Sequence, residues 1–382
     1  MQPKSPNTSE IRLSTFLSLL AINRIMTDFL YSQPYLLGLL SMIIGAVCMP
    51  LVIKIARSRG LVVKPNKRTS HVGEIPNIGG IDILVSFALS YLLFEFDSIE
   101  HSQFIFIGIF IIVLVGFVDD ILDITPVQKI LGELLAGIAL IGFADVRISS
   151  LCGFCGINEI PLWLSYCLSF FILIVIINAL NLIDGVDGLA SGLGMLFCLF
   201  FGIYFHLTGY IHWAILAYCL VGSLAVFFIY NVFGGSKRKI FMGDSGSLLL
   251  GYMITAFVFT FCELNSYHQV PEQYEMSAAP AVSICVLSIP LFDTLRVMGT
   301  RIKHHQSPFS PDRNHIHHLL LKAGLTHLQT TCVLLCVSIL FIGLGILGRN
   351  WNMWLLVSVD FSLCFCLTWI LWRAVDRGEK KS

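Results

Sequence analysis

Charge is scarce in this chain. Asp, Glu, Lys and Arg make up 13% of its 382 residues, against about a quarter in an ordinary soluble domain. The 24 acidic and 24 basic side chains cancel to a formal net charge of zero. The scarcity excludes a solvated globular fold. The balance removes any compositional case for nucleic acid as a partner. A second CxxC is missing as well. Of the 12 cysteines, ten lie inside apolar runs, where a thiol behaves as a small hydrophobe. Only Cys152 and Cys155, in "CGFC", fall in a loop, where a redox motif or a metal clip is the alternative to two inert thiols. No cleavage site of small residues follows the short apolar stretch 13–22, so a signal peptide is not expected. Residues 1–34 read as an N-terminal extension that is either interfacial or not translated.

Apolar residues are abundant instead, at 56%. A helix needs about 20 of them to cross the hydrocarbon core. Candidate spans fall at 35–56, 79–96, 104–118, 130–146, 162–180, 189–207, 211–232, 247–263, 281–298, 331–347 and 354–372. The expectation is therefore an all-α polytopic membrane protein of about 11 transmembrane helices, occupying 35–375, with a tail at 376–382. Lys and Arg favour cytoplasmic loops. If the loop after the first span is cytoplasmic, that side holds 19 of the 24 Lys and Arg. An external N-terminus and a cytoplasmic C-terminus follow.

The same alternation puts the unusual polar stretches on the cytoplasmic side, in loops 57–78, 119–129, 181–188, 233–246 and 299–328. "GFVDDILDI" brings Asp119, Asp120 and Asp123. "NALNLIDGVDG" brings Asn181, Asp184 and Asp187, and "KIFMGDSGS" brings Lys239 and Asp244. "IPLFDTLRVMGTRIKHHQSPFSPDRNHIHH" adds Asp293, Arg301, Arg313, His315, His317 and His318. Carboxylates at a membrane boundary are costly unless hydrated, paired or bound to a cation, so the cluster marks a site. Hard oxygen donors in glycine-permitted turns suit Mg²⁺, which completes its shell with water and phosphate oxygens. Basic side chains and amides at a helix N-terminus suit phosphate.

Three readings compete. "DDILD" is a DDxxD, as in membrane prenyltransferases that bind a prenyl diphosphate through magnesium. That reading leaves "MGDSGS" and the histidine loop unexplained. A transporter would place its acids near the bilayer midplane and show repeat symmetry, whereas here they collect at one face. Asp82 and Asp360 lie deeper and read as helix contacts.

The third reading rests on five motifs in order. "LVVKPNKRTSHVGEIPNIGG", "GFVDDILDITPVQK", "NALNLIDGVDGLASG", "KIFMGDSGSLLLGY" and "SPFSPDRNHIHHLLL" together resemble the polyprenyl-phosphate N-acetylhexosamine-1-phosphate transferases. The match is to the bacterial branch, in glycosyltransferase family 4, that initiates O-antigen, common-antigen and teichoic-acid linkage synthesis. The resemblance runs from Tyr35 to about Trp372. It departs from the family at Val63, commonly Asp, and at Glu133, commonly Gln.

That resemblance implies transfer of a sugar 1-phosphate from a UDP-sugar to undecaprenyl phosphate, releasing UMP, at the cytoplasmic face of the inner membrane. N-acetylglucosamine is the commonest sugar of the branch. Asp119 and Asp120 would be the catalytic carboxylates. Substrate would be bound by Lys129, Asn181, Asp184, Asp187, Arg301, Arg313, His315, His317 and His318. Asp244 with Asp184 would hold Mg²⁺, or Mn²⁺ in its place. Apolar lipid-facing spans would permit a homodimer. "HIHH" invites zinc, but adjacent His317 and His318 point apart in most backbones, and a catalytic zinc needs three converging ligands. Phosphate and sugar recognition is the favoured role.

Overall fold

The computed structural model describes residues 31–63, 74–93, 100–154, 156–305 and 315–379. Its helices are α1 (Tyr35–Ser58), α2 (Gly79–Leu92), α3 (Ser102–Leu122), α4 (Pro126–Gly137), α5 (Leu162–Ile183), α6 (Leu189–Thr208) and α7 (Ile211–Phe233). They continue with α8 (Gly243–Ser266), α9 (Ala279–Val286), α10 (Ser288–Lys303), α11 (Ile316–Lys322), α12 (His327–Leu347) and α13 (Met353–Glu379). Strand is confined, among the described residues, to two antiparallel pairs: β1 (Val62–Val63) with β2 (Ile75–Pro76), and β3 (Ser150–Phe154) with β4 (Ile157–Glu159). The all-α membrane architecture expected from sequence is what the chain adopts.

Among the described residues, nine helices are long and apolar enough to cross a membrane, α4 counting with the π-helical turn Ile138–Phe143 that extends it. The other two of the eleven candidate spans differ from expectation. The first, α2, is apolar but only 14 residues long. The second, expected at 281–298, is broken into α9 and α10, which meet at 79°. Pro290 explains the break, because it has no N–H to offer the carbonyl four residues back at Val286.

Helix α8 is the axle. Of its apolar window 89% is buried, against 17% for α13. From Leu248 to Phe261 it is hydrophobic round its whole circumference, the pattern of a helix with no solvent or lipid face. Helices α2, α3, α5, α6 and α9 surround it. Small residues let them close in: a Cβ on Gly251 would stand 2.6 Å from the Ile177 Cα of α5.

The axle also fixes which groups share an end of the bundle. Near the C-terminus of α8, the Glu263 carboxylate accepts hydrogen bonds from Ser149 N (2.7 Å) and Ser149 Oγ (2.5 Å), tying down the β3–β4 hairpin. Cys152 of that hairpin is a free thiol 2.7 Å from Ser266 Oγ; Cys155 lies outside the described residues. Asp244 stands in the first turn of α8, 19 residues before Glu263 and so about 28 Å away along the axis. The acidic stretches gather at the Asp244 end.

Candidate active site

Each local structure at that end has a cause in its sequence. Helix α4 begins with a capping box, Thr125 with Gln128, and Pro at its first position. This pre-set start aims Lys129 across the bundle. The turn "DGVDG" between α5 and α6 ends on Gly188 at φ +76°, a conformation glycine adopts without Cβ strain. Gly188 N donates to Asn231 Oδ1 of α7 at 2.6 Å. Gly243 also has positive φ, and a Cβ there would lie 2.5 Å from the Asp120 carboxylate.

The two adjacent aspartates of "DDILD" do different things. Asp120 Oδ1 accepts from Asp244 N (2.7 Å) and Asn77 Nδ2 (2.9 Å). Its Oδ2 accepts from Ser245 N (3.1 Å) and Ser245 Oγ (3.0 Å). A carboxylate thus covers the first amides of α8, where the free N–H groups and the helix dipole favour negative charge. Asp119 faces the other way. Its Oδ1 accepts from Ile124 N (3.0 Å), and its Oδ2 meets Lys129 Nζ (3.1 Å).

Lys129 is the hub. Its ammonium donates to Asp244 Oδ2 (2.5 Å), Asp119 Oδ2 (3.1 Å) and Asn181 Oδ1 (3.3 Å), joining α3, α4, α5 and α8. Asn181 Nδ2 in turn donates to Asp244 Oδ1 and to Ser247 Oγ, each at 2.8 Å. One turn along α4, the fully buried Glu133 accepts from Asn178 Nδ2 at 2.8 Å.

Next to this hub is the "DGVDG" turn. Burial is the main cause that pushes the Asp184 carboxyl well above its ordinary range, with Asp244, Asp120 and Asp187 adding repulsion. Among the described residues the Asp184 carboxyl makes no side-chain hydrogen bond, although its backbone N–H donates to Asn181 O at 3.3 Å. Burial acts on Asp187 in the same direction, but hydrogen bonds from His327 and Lys239 outweigh it and hold that carboxyl below its usual value. The distances are 2.6 Å to Lys239 Nζ and 3.2 Å to His327 Nδ1.

The histidines reach the same turn from another side. Asp293 of α10 pairs with Arg296 (2.8 Å), meets His315 Nδ1 (2.9 Å) and accepts from Ile316 N (3.0 Å), anchoring the start of α11. His315 and His317 stack with centroids 5.6 Å apart and planes 5° apart. His317 is buried against Gly185, whose Cβ, if it had one, would lie 2.8 Å from His317 Nε2. Desolvation, aided by His318, lowers the His317 pKa to about 3, so the ring is neutral. His318 rests on His317 at 4.3 Å between centroids. Arg301 is buried in α10. Arg313 lies outside the described residues.

So the fold brings Asp119, Asp120, Lys129, Asn181, Asp184, Asp187 and Asp244 into one cluster, with His317 against its edge. The site also uses Asn77, Asn231 and His327, which the sequence reading did not place in it, and Lys239, which it placed in the cluster without a role; each holds a motif residue. Asn77 and Lys239 sit inside quoted motifs, which was a usable signal. Asn231 is hidden near the end of an apolar span, and His327 is a lone histidine after a helix cap.

A divalent cation would suit this donor set. Among the described residues the Asp184 carboxyl has no side-chain partner and stands beside three other carboxylates, and the cation would relieve that crowding. No group of three His, Cys, Asp or Glu converges as a complete ligand shell among the described residues. Mg²⁺ does not need one, since it takes one or two carboxylates and finishes with water and phosphate. The stacked histidines do not converge as a zinc site.

The model of glycosyl transferase family 4 matches residues 102–262, which hold both aspartate motifs and the start of α8. An undecaprenyl-phosphate alpha-N-acetylglucosaminyl 1-phosphate transferase of Haemophilus influenzae is 31% identical over 351 residues, 89% of this chain and 96% of the relative. Proteins of the same name from Yersinia pestis and Escherichia coli K12 are each 29% identical over 339 residues, 86% of this chain and 90% of theirs.

Proposed function

Because the chain belongs to glycosyl transferase family 4, we propose that it transfers N-acetylglucosamine 1-phosphate from its UDP derivative to undecaprenyl phosphate. The product is a lipid-linked diphosphosugar, the leaving group is UMP, and the step initiates a cell-surface glycan. The single observation that carries the site assignment is Lys129 held at once by Asp119, Asn181 and Asp244.

The chemistry follows from the reactants. An oxygen of the lipid phosphate attacks the phosphorus that bears the sugar. The bond from that phosphorus to the bridging oxygen breaks, and UMP leaves with that oxygen. A phosphate monoester has its second pKa near 6, so at neutral pH the nucleophile is already largely a dianion. Alignment and charge neutralisation then matter more than a strong base.

Lys129 supplies a fixed positive charge for phosphate oxygens, and Asp119 and Asn181 fix its direction. Asp120 keeps the α8 amides in register and so acts on position rather than as a base. Asp184 and Asp244 would hold Mg²⁺, which when bound neutralises the diphosphate and favours UMP departure. His317 and its neighbours close the turn from the α11 side, where the half-buried His318 would meet the nucleotide sugar.

The membrane context supports the same reading. A polyprenyl substrate lies in a bilayer, and nine helices among the described residues are long and apolar enough to cross one. The Lys and Arg distribution supports an inner-membrane enzyme whose site faces the cytoplasm. The deciding assay is exchange of radiolabelled UMP into UDP-N-acetylglucosamine. It should require both undecaprenyl phosphate and Mg²⁺. Exchange without the lipid phosphate, or product formation from a prenyl diphosphate, would overturn the proposal.

A further inference from the structure

Away from the site, the break between α9 and α10 is fastened from a third helix. Asp360 of α13 is 1% exposed, and its Oδ1 lies 2.6 Å from the hydroxyl of Ser288, the first residue of α10. The same Ser288 Oγ is 2.9 Å from Cys285 O and 3.1 Å from Ile284 O, the last turn of α9. A serine hydroxyl has one proton to give. If that proton closes the last turn of α9, Asp360 must be the donor in the third contact, and only a neutral carboxylic acid can donate. The alternative is a charged carboxylate sealed in the membrane interior with only two neutral partners, the Ser288 hydroxyl and the Cys285 thiol, a state that desolvation strongly disfavours.

The consequences run along the chain. Asp293 is five residues beyond Ser288 on the same helix, and it holds His315 and Ile316 N. Those contacts place α11, which puts His317 against Gly185. Phe292, beside Asp293, packs edge-on against Phe365 of α13 at 4.9 Å. A cavity of about 130 Å³, reaching Ser288, Phe292, Leu320, Leu334 and Cys364, lies beside this joint, so side-chain packing around it is incomplete on that side.

We propose that Asp360, as a neutral acid donating to Ser288, is a positioning residue for the transferase reaction: it locks the angle of α10 and through Asp293 sets the pose of the histidine helix against the "DGVDG" turn. The activity part of the inference rests on the function proposed above.

Asp360→Asn keeps a neutral donor, whereas Asp360→Leu keeps bulk without one, and Ser288→Ala removes the other partner. All three are to be compared in the full-length protein. Asp360→Asn should keep KM for UDP-N-acetylglucosamine near the wild-type value. Asp360→Leu and Ser288→Ala should raise that KM about tenfold, the equivalent of one lost hydrogen bond, with kcat changed less. At neutral pH the infrared difference between wild type and Asp360→Asn should contain a protonated carboxyl band. Wild-type KM in both Asp360→Leu and Ser288→Ala, an Asp360→Asn defect equal to that of Asp360→Leu, or the lack of the band would each overturn the proposal. If Asp360→Leu does not fold, Ser288→Ala carries the KM comparison. If wild type makes no lipid-linked product, the function proposal fails, and the infrared difference alone decides the state of Asp360.

Discussion

Nε2 of His317 lies against Gly185 so closely that a Cβ on that glycine would stand 2.8 Å from it. Gly185→Ala should therefore force the ring or the turn to move. Turnover should fall at least about tenfold, the effect of misplacing a positioned group, while the protein stays folded by thermal melting. His317→Ala vacates the space. Adding Gly185→Ala to His317→Ala should cost little more, a non-additivity that a double-mutant cycle measures directly.

Protonating His317 is a second way to disturb that contact. Its folded pKa is about 3, below the unfolded value near 6.5, so the folded state binds fewer protons. The stability this contributes is complete above about pH 6.5 and is lost as pH falls towards 3. Linkage gives roughly 2 kcal/mol between pH 6.5 and 5. The fall in melting temperature over that range should be smaller in His317→Gln. Equal slopes in the two proteins would refute a neutral, buried His317.

Lys129→Met removes the ammonium that reaches Asp119, Asn181 and Asp244 together. Loss of one preorganised charge at a phosphoryl-transfer site is worth about 10²–10³ in kcat, and that is the expected drop. Near-normal turnover in detergent with saturating lipid phosphate would remove Lys129 from the reaction.

Asp120 and Asp119 should separate on mutation, although they are adjacent. Asp120→Ala uncovers Asp244 N, Ser245 N and Asn77 Nδ2. Leaving buried donors unmade costs about 1–3 kcal/mol each, so melting temperature should fall together with activity. Asp119→Ala should depress activity with a smaller change in melting temperature. The reverse ranking would contradict the division of roles.

How much of this could be read from the sequence depends on the range of each interaction. The spans, and the gathering of Asp119, Asp184 and Asp244 at one end, follow from apolar run length and helix ends. Those are local properties. The division of labour between Asp119 and Asp120 is not local, because it depends on which of two neighbouring side chains meets an amide of α8 more than 100 positions away. Nor does sequence reveal His327 on Asp187, which requires the packing of α12 beside α6. The bend at Ser288 had a local sign in Pro290, but a proline in an apolar run marks a break without giving its angle. Asp360 read as a helix contact, and only its distance to Ser288 shows which helix it touches.

The first turn of α8 is gripped by two other glycines. A Cβ on Gly80 would meet Gly246 N at 2.2 Å, and one on Gly116 would meet Ser245 N at 2.5 Å. Main chain rests on main chain there, so neither glycine can be exchanged for even the smallest side chain without lifting the helix that carries Asp244. The height of that helix end, and with it the reach of Asp244 to Lys129, is set by two residues that contribute no functional group.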